Sequence, residues 1–376
     1  MNMQITPLTP LWTGDAERKG ERVLETGILG SLRWWYEALI RGLKYYVCDS
    51  GGGTCEYREK EKLASICPVC QLFGCTGYSR RFRLQVEGGS GAGPLLKVKL
   101  RNPGNNKHLG WRIPAIVADP FTLSFLPMGG SDMGDFEAAV LRCILHLIEQ
   151  YGALGGKTSQ GQGVVKIKWA GNQSTKMDFA LLCEELARCP ANQGKNLNRM
   201  PDLRNLVGAT ILLDDNTLNA SSIWQAISLT AKKERELWTP PAESKWVPSS
   251  PAIRAFLRQW LRETSNFPGF NENLVHERHR LMGTTQQWGD PRPRENRDRP
   301  KGSDVFVTHF YKLEGRWTMR IFAFIPIDGN QVETAFRALL SDPFKLEKFM
   351  GQVVGGLRLH VEPYPADIES MFKVGG

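Results

Sequence analysis

Cys67 and Cys70 stand two residues apart, the spacing at which a zinc knuckle presents two thiolates to one ion. Cys48 and Cys55 lie upstream, with Gly51-Gly52-Gly53 between them, and the four sulfurs together could close a tetrahedral site. A closed four-thiolate site leaves no open position for catalysis, so its role would be structural. Metal binding would supply the free energy to order the insertion 48–75, whose own apolar content is too low. Cys75 competes for one ligand position, and a set of free thiols partly covered by Phe73 is the other reading. Cys143 falls on an apolar helix face and reads as core, while Cys183 and Cys189 have no evident partners.

The stretch from Gly152 to Gly163 holds five glycines around Lys157. Gly155-Gly156-Lys157-Thr158 invites a phosphate-loop reading, but Tyr151 occupies the first glycine position of that pattern. The loop also leaves a helix and enters a strand, the reverse of a phosphate loop. An anion nest fits better: glycines let the backbone approach a ligand, Lys157 adds charge, and Thr158, Ser159, Gln160 and Gln162 add donors. RNA phosphates and 2′-hydroxyls suit such a set. A solvent-exposed turn with one lysine would use the same residues.

Arg80, Arg81 and Arg83 follow the cysteine insertion. In a strand Arg81 and Arg83 share a face, either as a track for an RNA backbone beside the glycine loop or as charges guarding a sheet edge. Between His276 and Lys301 seven basic residues, among them Arg278 and Arg280, outnumber four acids. The prolines at 291, 293 and 300 make that segment a loop, solvated or ordered by a partner. Trp12, Trp34 and Trp288 could stack on bases, although tryptophan at helical spacing commonly belongs to a core. None of the six histidines lies in the first 107 residues, and His276-Glu277-x-His279 is one residue too short for the zinc-protease helix motif.

The elements that must position these residues can be read from periodicity. Met3–Leu8 alternates as a short strand. Ile28, Leu32, Trp35, Leu39 and Leu43 recur at helical spacing over 26–46. Arg81–Glu87 and Leu95–Leu100 alternate as strands, Asp135–Tyr151 is a helix ended by Gly152, and Val164–Trp169 is a strand. The order strand, helix, strand, strand, helix, strand is ferredoxin-like. A polar, irregular segment 171–204 then links to a second half, where Ala209–Leu213, helices near 223–238 and 253–264, a hairpin across Glu314-Gly315, a helix at 332–340 and a strand at 357–361 repeat that order. The expected fold is α+β, with ferredoxin-like domains over 1–170 and 205–376.

The chain has 376 residues and a net charge of +9. That surplus favours an anionic partner, nucleic acid first. No apolar stretch approaches the length needed to span a bilayer, and no signal peptide is visible. A cytoplasmic setting follows, in which thiols stay reduced and clustered cysteines hold metal more often than disulfides.

Four stretches in order resemble the repeat-associated mysterious protein (RAMP) subunits of type III-B CRISPR effectors, the Cmr complexes, and among them the first RAMP subunit. They are Thr6-Pro7-Leu8-Thr9-Pro10-Leu11-Trp12-Thr13-Gly14-Asp15, Glu25-Thr26-Gly27-Ile28-Leu29-Gly30-Ser31-Leu32-Arg33-Trp34-Trp35, Cys67-Pro68-Val69-Cys70-Gln71-Leu72-Phe73-Gly74-Cys75 and the glycine loop. The resemblance implies two packed ferredoxin-like domains, a place beside the 3′ end of the CRISPR RNA, and a part in capturing target RNA, with other RAMP subunits as neighbours. Arg33, the arginines at 80, 81, 83, 278 and 280, and the loop residues Gly155 to Gln160 with Gln162 are then the expected RNA contacts. The backbone subunit of such complexes cuts RNA with an aspartate late in the loop after the first strand. Here that stretch reads Arg22-Val23-Leu24-Glu25, and Asp15 stands early and alone. A non-catalytic binding subunit is therefore expected, with a CRISPR-RNA-processing endoribonuclease as the alternative.

Overall fold

The computed structural model describes residues 1–14, 22–49, 55–91, 95–101, 108–114, 119–128, 133–169, 175–188, 196, 200–228, 240–263, 272–283 and 302–373. Met3, Ile5 and Pro7 alternate with Asn2 and Gln4, so strand β1 (Asn2–Pro7) buries one face and opens the other. Helix α1 (Glu25–Gly42) adds Ile28, Leu32, Trp35 and Leu39 to the same core. A short helix α2 (Pro68–Phe73), strand β2 (Phe82–Gly88), a ribbon of β3 (Leu95–Arg101) and β4 (His108–Pro114), strand β5 (Phe121–Pro127), helix α3 (Asp135–Tyr151) and strand β6 (Val165–Trp169) follow. The sheet runs β2-β5-β1-β6, antiparallel throughout.

The sequence reading put the third strand of this sheet at Leu95–Leu100, and the structure corrects it to Phe121–Pro127. Both segments alternate, but Phe121, Leu123 and Phe125 carry the side chains that fill the first core. The β3–β4 ribbon stands outside the sheet, and Leu96 is buried in the core of the second half. The segment read as irregular contains helix α4 (Thr175–Arg188). Phe179, Leu182 and Leu186, three and four residues apart, join the first core. Asp178 accepts from both Nε and Nη2 of Arg142 on α3, at 2.8 and 2.6 Å, a fork that fixes one helix to the other.

The second half contains β7 (Leu206–Leu213), α5 (Ala220–Ser228), β8 (Trp246–Val247), α6 (Ser250–Trp260), α7 (Glu272–Met282), β9 (Val305–Val307), β10 (Phe310–Leu313) and β11 (Arg316–Phe324). It ends with α8 (Gln331–Ser341), α9 (Pro343–Val353), β12 (Leu359–Pro363) and α10 (Ile368–Met371). Its sheet runs β12-β7-β11-β10-β8, with β9 also on β11. Glu314 and Gly315 both have positive φ, the geometry of a tight two-residue hairpin turn. The described residues are thus α+β, as expected, with a four-stranded and a six-stranded antiparallel sheet beside the β3–β4 ribbon and a core in each half. No helix among the described residues is long and apolar enough to cross a membrane.

The last described segment returns to the first half. Met371 O meets His146 Nε2 at 2.8 Å and accepts from Tyr151 Oη at 3.2 Å, while Phe372 stacks on Phe179 at 4.3 Å. Phe372→Ala should therefore cost about 3–5 kcal/mol and lower the melting temperature by roughly 10 °C. Thermal unfolding followed by circular dichroism checks this, and an unchanged midpoint would mean that the terminal ring is not part of the first core.

Candidate functional site

Cys67 is the N-cap of α2 and Cys70 lies in its first turn, so the two sulfurs are brought together there. Cys48 and Cys55 reach them from the preceding segment. The four sulfurs are buried and lie within 4.8 Å of one another. Cys48 and Cys70 are 3.5 Å apart, Cys48 and Cys67 3.8 Å. A tetrahedral thiolate site with bonds of 2.3 Å places its sulfurs about 3.8 Å apart, so the set fits one metal ion. Without an ion, hydrogen bonding to Cys48 pushes the Cys67 thiol up to about 12 and raises Cys70 further. Cys75 lies outside the group of four. Cys143 is in the core, as expected, and Cys189 lies outside the described residues.

Arg33, expected on RNA, is committed to this centre. Its Nη2 donates to Cys70 Sγ at 3.4 Å, its Nη1 to Gly74 O at 3.2 Å and its Nε to Glu37 at 3.1 Å. Glu37 in turn accepts from Arg41, whose Nη1 reaches Pro201 O at 3.0 Å. The stripe 33-37-41 on α1 therefore ties the cysteine centre to the segment leading into β7. Sequence could not show this, because the acceptors on α2 lie about forty residues away.

The glycine loop folds against the protein itself. A Cβ at Gly152 would lie 2.1 Å from the Trp35 ring, one at Gly155 2.7 Å from Trp12 O, and one at Gly161 2.8 Å from the His309 ring. The amides of Gly156 and Gly163 donate to Trp12 O and Pro10 O. Gln162 is buried, not a surface donor. The amides of Gly155, Lys157 and Thr158 have no acceptor among the described residues. Lys157, in the left-handed region, stacks its ammonium 4.2 Å over Trp12. Ser159 is half-buried and Gln160 exposed.

A cavity of about 370 Å³ opens between this loop, α1 and the second sheet. Gly27, Gly30 and Ser31 form its floor, Trp34, Phe306 and Phe322 its apolar walls, and Gly155, Gly156 and Thr158 its polar side. Gly27 is explained by packing, because a Cβ there would lie 2.3 Å from Thr13 O. Gly30 is different. It sits inside a helix, where glycine costs about 1 kcal/mol against alanine, yet nothing lies within 4 Å of the missing Cβ. What that glycine leaves open is the cavity. Trp34 and Phe306 also line a smaller cleft of about 70 Å³ that contains Arg280 and Asp304. The small-residue pair 27 and 30, one turn from Trp34, was a readable signal; Phe306 and Phe322, from the other half, were not.

Arg81 and Arg83 are exposed, as expected, but not beside the loop. β2 and β6 are the two sheet edges. Pairing with β5 places Arg83 at the Leu126 end, whereas β1 leads toward the loop from the Phe121 end. Arg81 pairs with Glu137 at 3.4 Å, and Arg80 is half-buried. Arg278 is buried rather than displayed. The basic residues from 292 to 301, Trp288 and Asp15 lie outside the described residues.

His309 pins the loop to the second half: its amide donates to Gly161 O at 3.3 Å and its Nδ1 accepts from the Ser250 amide at 3.2 Å. Complete burial pushes its pKa down to about 3. The unfolded imidazole titrates near 6.5, so below that pH the unfolded chain takes a proton the folded chain refuses. Stability should fall as pH drops from about 6.5 toward 3, by up to about 1.4 kcal/mol per pH unit for this residue. Buried His146, also lowered, adds to the same window. Denaturant titrations from pH 7 to 4 should show His309→Gln less stable at pH 7 but with a shallower decline; an equal slope would mean that this imidazole is not held neutral.

Residues 4–166 match the RAMP superfamily. No curated protein matches the chain. Among solved structures the chain is similar to Cmr1 from Pyrococcus furiosus in its apo form, at 12% identity over 96% of this chain and 97% of that one, with a TM-score of 0.41. It is also similar to a chain of the type III-B Cmr-beta complex bound to cognate target RNA, at 12% identity over 94% and 99% of the two chains, with a TM-score of 0.43. Most of the first sheet, the tryptophan-bearing helix α1, the cysteine centre and the glycine loop fall in the matched stretch, and it is this part of the chain, under half of its length, that is similar to the RAMP superfamily.

Proposed function

We propose that this chain is a non-catalytic RNA-binding subunit of a type III-B CRISPR effector complex, seated at the 3′ end of the CRISPR RNA and helping to capture target RNA among other RAMP subunits in the cytoplasm. Both halves are read as ferredoxin-like, since β6-β1-β5-β2 and β12-β7-β11-β10 place the strands in the same relative order. The observation that carries the reading is the cavity floored by Gly30. Its volume lies in the range of small-ligand sites, with aromatic walls for an unstacked base and open amides for its phosphate or ribose. No titratable side chain is among the residues lining it, which favours holding RNA over cutting it.

Fluorescence anisotropy with labelled single-stranded RNA tests the site. Gly30→Leu should keep or raise the melting temperature, because it improves the helix, yet weaken RNA binding at least tenfold by filling the cavity. Undiminished affinity in a stably folded Gly30→Leu protein would remove the cavity from the RNA path. Intact RNA after incubation with the purified chain is the matching expectation for the absence of catalysis.

Zinc is the ion assigned to Cys48, Cys55, Cys67 and Cys70, because four thiolates at tetrahedral spacing select it. Metal analysis of protein purified without chelator should give about one zinc per chain. Cys70→Ser should bring that close to zero and lower the melting temperature, and a wild-type content near zero would reject the assignment.

A further inference from the structure

Arg254, Arg258 and Arg262 recur every four residues along α6 and the turn after it, so they share one face. Arg254 is buried; its Nη1 donates to Val305 O at 2.8 Å and its Nη2 to Met282 O at 3.0 Å. Arg258 Nη2 reaches the same Met282 O and Gly283 O, both at 2.9 Å. Two guanidinium groups thus meet on the last carbonyls of α7, its electronegative end. From α7 itself comes Arg278, buried and lowered to about 10 by that burial and by the charges of Arg262 and Arg258. Among the described residues its side chain makes one hydrogen bond, a long one, from Nη2 to His279 Nε2 at 3.5 Å.

Among the described residues no carboxylate pairs with any of these four arginines. Arg41 and Arg142, by contrast, are paired with Glu37 and Asp178, while buried Arg320 is a single cation held by a carbonyl rather than one of a group. Carbonyl dipoles satisfy donors but do not cancel charge, and like charges withdrawn from water without a counter-ion are costly. Arg262, exposed at the mouth of the cluster, and Arg278 keep forked donors in reserve, a geometry suited to a phosphate.

We infer that exposed Arg262, with the charges of Arg258 and buried Arg278 behind it, forms an oxyanion site whose occupant is a phosphodiester group of single-stranded RNA, separate from the cavity on α1. The choice of RNA rests on the function proposed above. Helix α6 supports it by position: Ser250 at its start packs on Gly161 of the glycine loop, and Arg262 lies twelve residues on. At 1.5 Å per residue that is about 18 Å, a distance one short strand covers from the loop.

The test measures single-stranded RNA affinity as a function of salt for wild type, Arg262→Ala and Arg262→Glu, alongside thermal unfolding in inorganic phosphate and in chloride of equal ionic strength. Arg262 makes no described hydrogen bond through its side chain, so both variants should fold. Losing one phosphate contact should reduce the log–log salt slope by about 0.7 and weaken binding about fivefold at 0.1 M salt, with a larger loss for the glutamate. Phosphate should raise the wild-type melting temperature beyond chloride and do so less in Arg262→Ala. Unchanged slope and affinity in both variants would overturn the site as an RNA contact. If the wild type binds no RNA, yet phosphate stabilises it through Arg262, the oxyanion site stands and the RNA assignment falls along with the function proposed above. If neither RNA nor phosphate responds to Arg262, the site itself is wrong.

Discussion

The molecule turns on a contact that leaves no room for a methyl group, the approach of Gly152 to the indole of Trp35. Trp35 Nε1 donates to Ala153 O at 3.2 Å from the same position, so helix α1 and the loop after α3 are fixed in both distance and direction. The second half is locked onto that junction. Arg320 Nη1 donates to Gly152 O at 3.2 Å, Tyr364 Oη to Tyr151 O at 3.1 Å, and His309 closes on Gly161. A larger residue at 152 would push apart helix, loop and both sheets together. The cavity exists because this junction holds its walls, which come from three separate parts of the chain.

Charge is distributed differently from what the net value of +9 suggests. Many of the arginines are structural. Arg33 and Arg41 brace the cysteine centre and the segment before β7, Arg142 clamps α4, and Arg320 holds the two halves. Arg81 and Arg83 are on the surface but at the far edge and the far end of the first sheet from the glycine loop. The total therefore says little about where an anionic partner would sit, and local groups of cations say more.

Sequence was a good guide wherever the signal was local and long. Asp135–Tyr151 was legible to the residue because seventeen positions repeat one period, and the hairpin at Glu314-Gly315 because only certain residues adopt two successive positive φ values. The four cysteines were legible from their spacing. What failed was non-local. Phe121–Pro127 and Leu95–Arg101 both alternate, and only the packing of whole side-chain sets decides which one enters the sheet. The amphipathic stripe of α4 was hidden by polar flanks. That Arg33 bonds to the cysteine centre and that Gln162 is buried could not be read, because neither a side chain's partner on another element nor the direction in which a loop residue points follows from its neighbours in sequence.

The return of Phe372 to Phe179 sets a schedule for synthesis. The two rings are made roughly 200 residues apart, an interval of about 10–40 s at ribosomal rates of about 5–20 residues per second. During that time the first half already owns its sheet and its metal-ready cysteines, but α4, His146 and Tyr151 still present an unsealed flank. Vectorial folding therefore leaves this flank of the earlier half uncovered until residue 372 is made. Synthesis of Phe372, and not of either half alone, is the event that closes this flank.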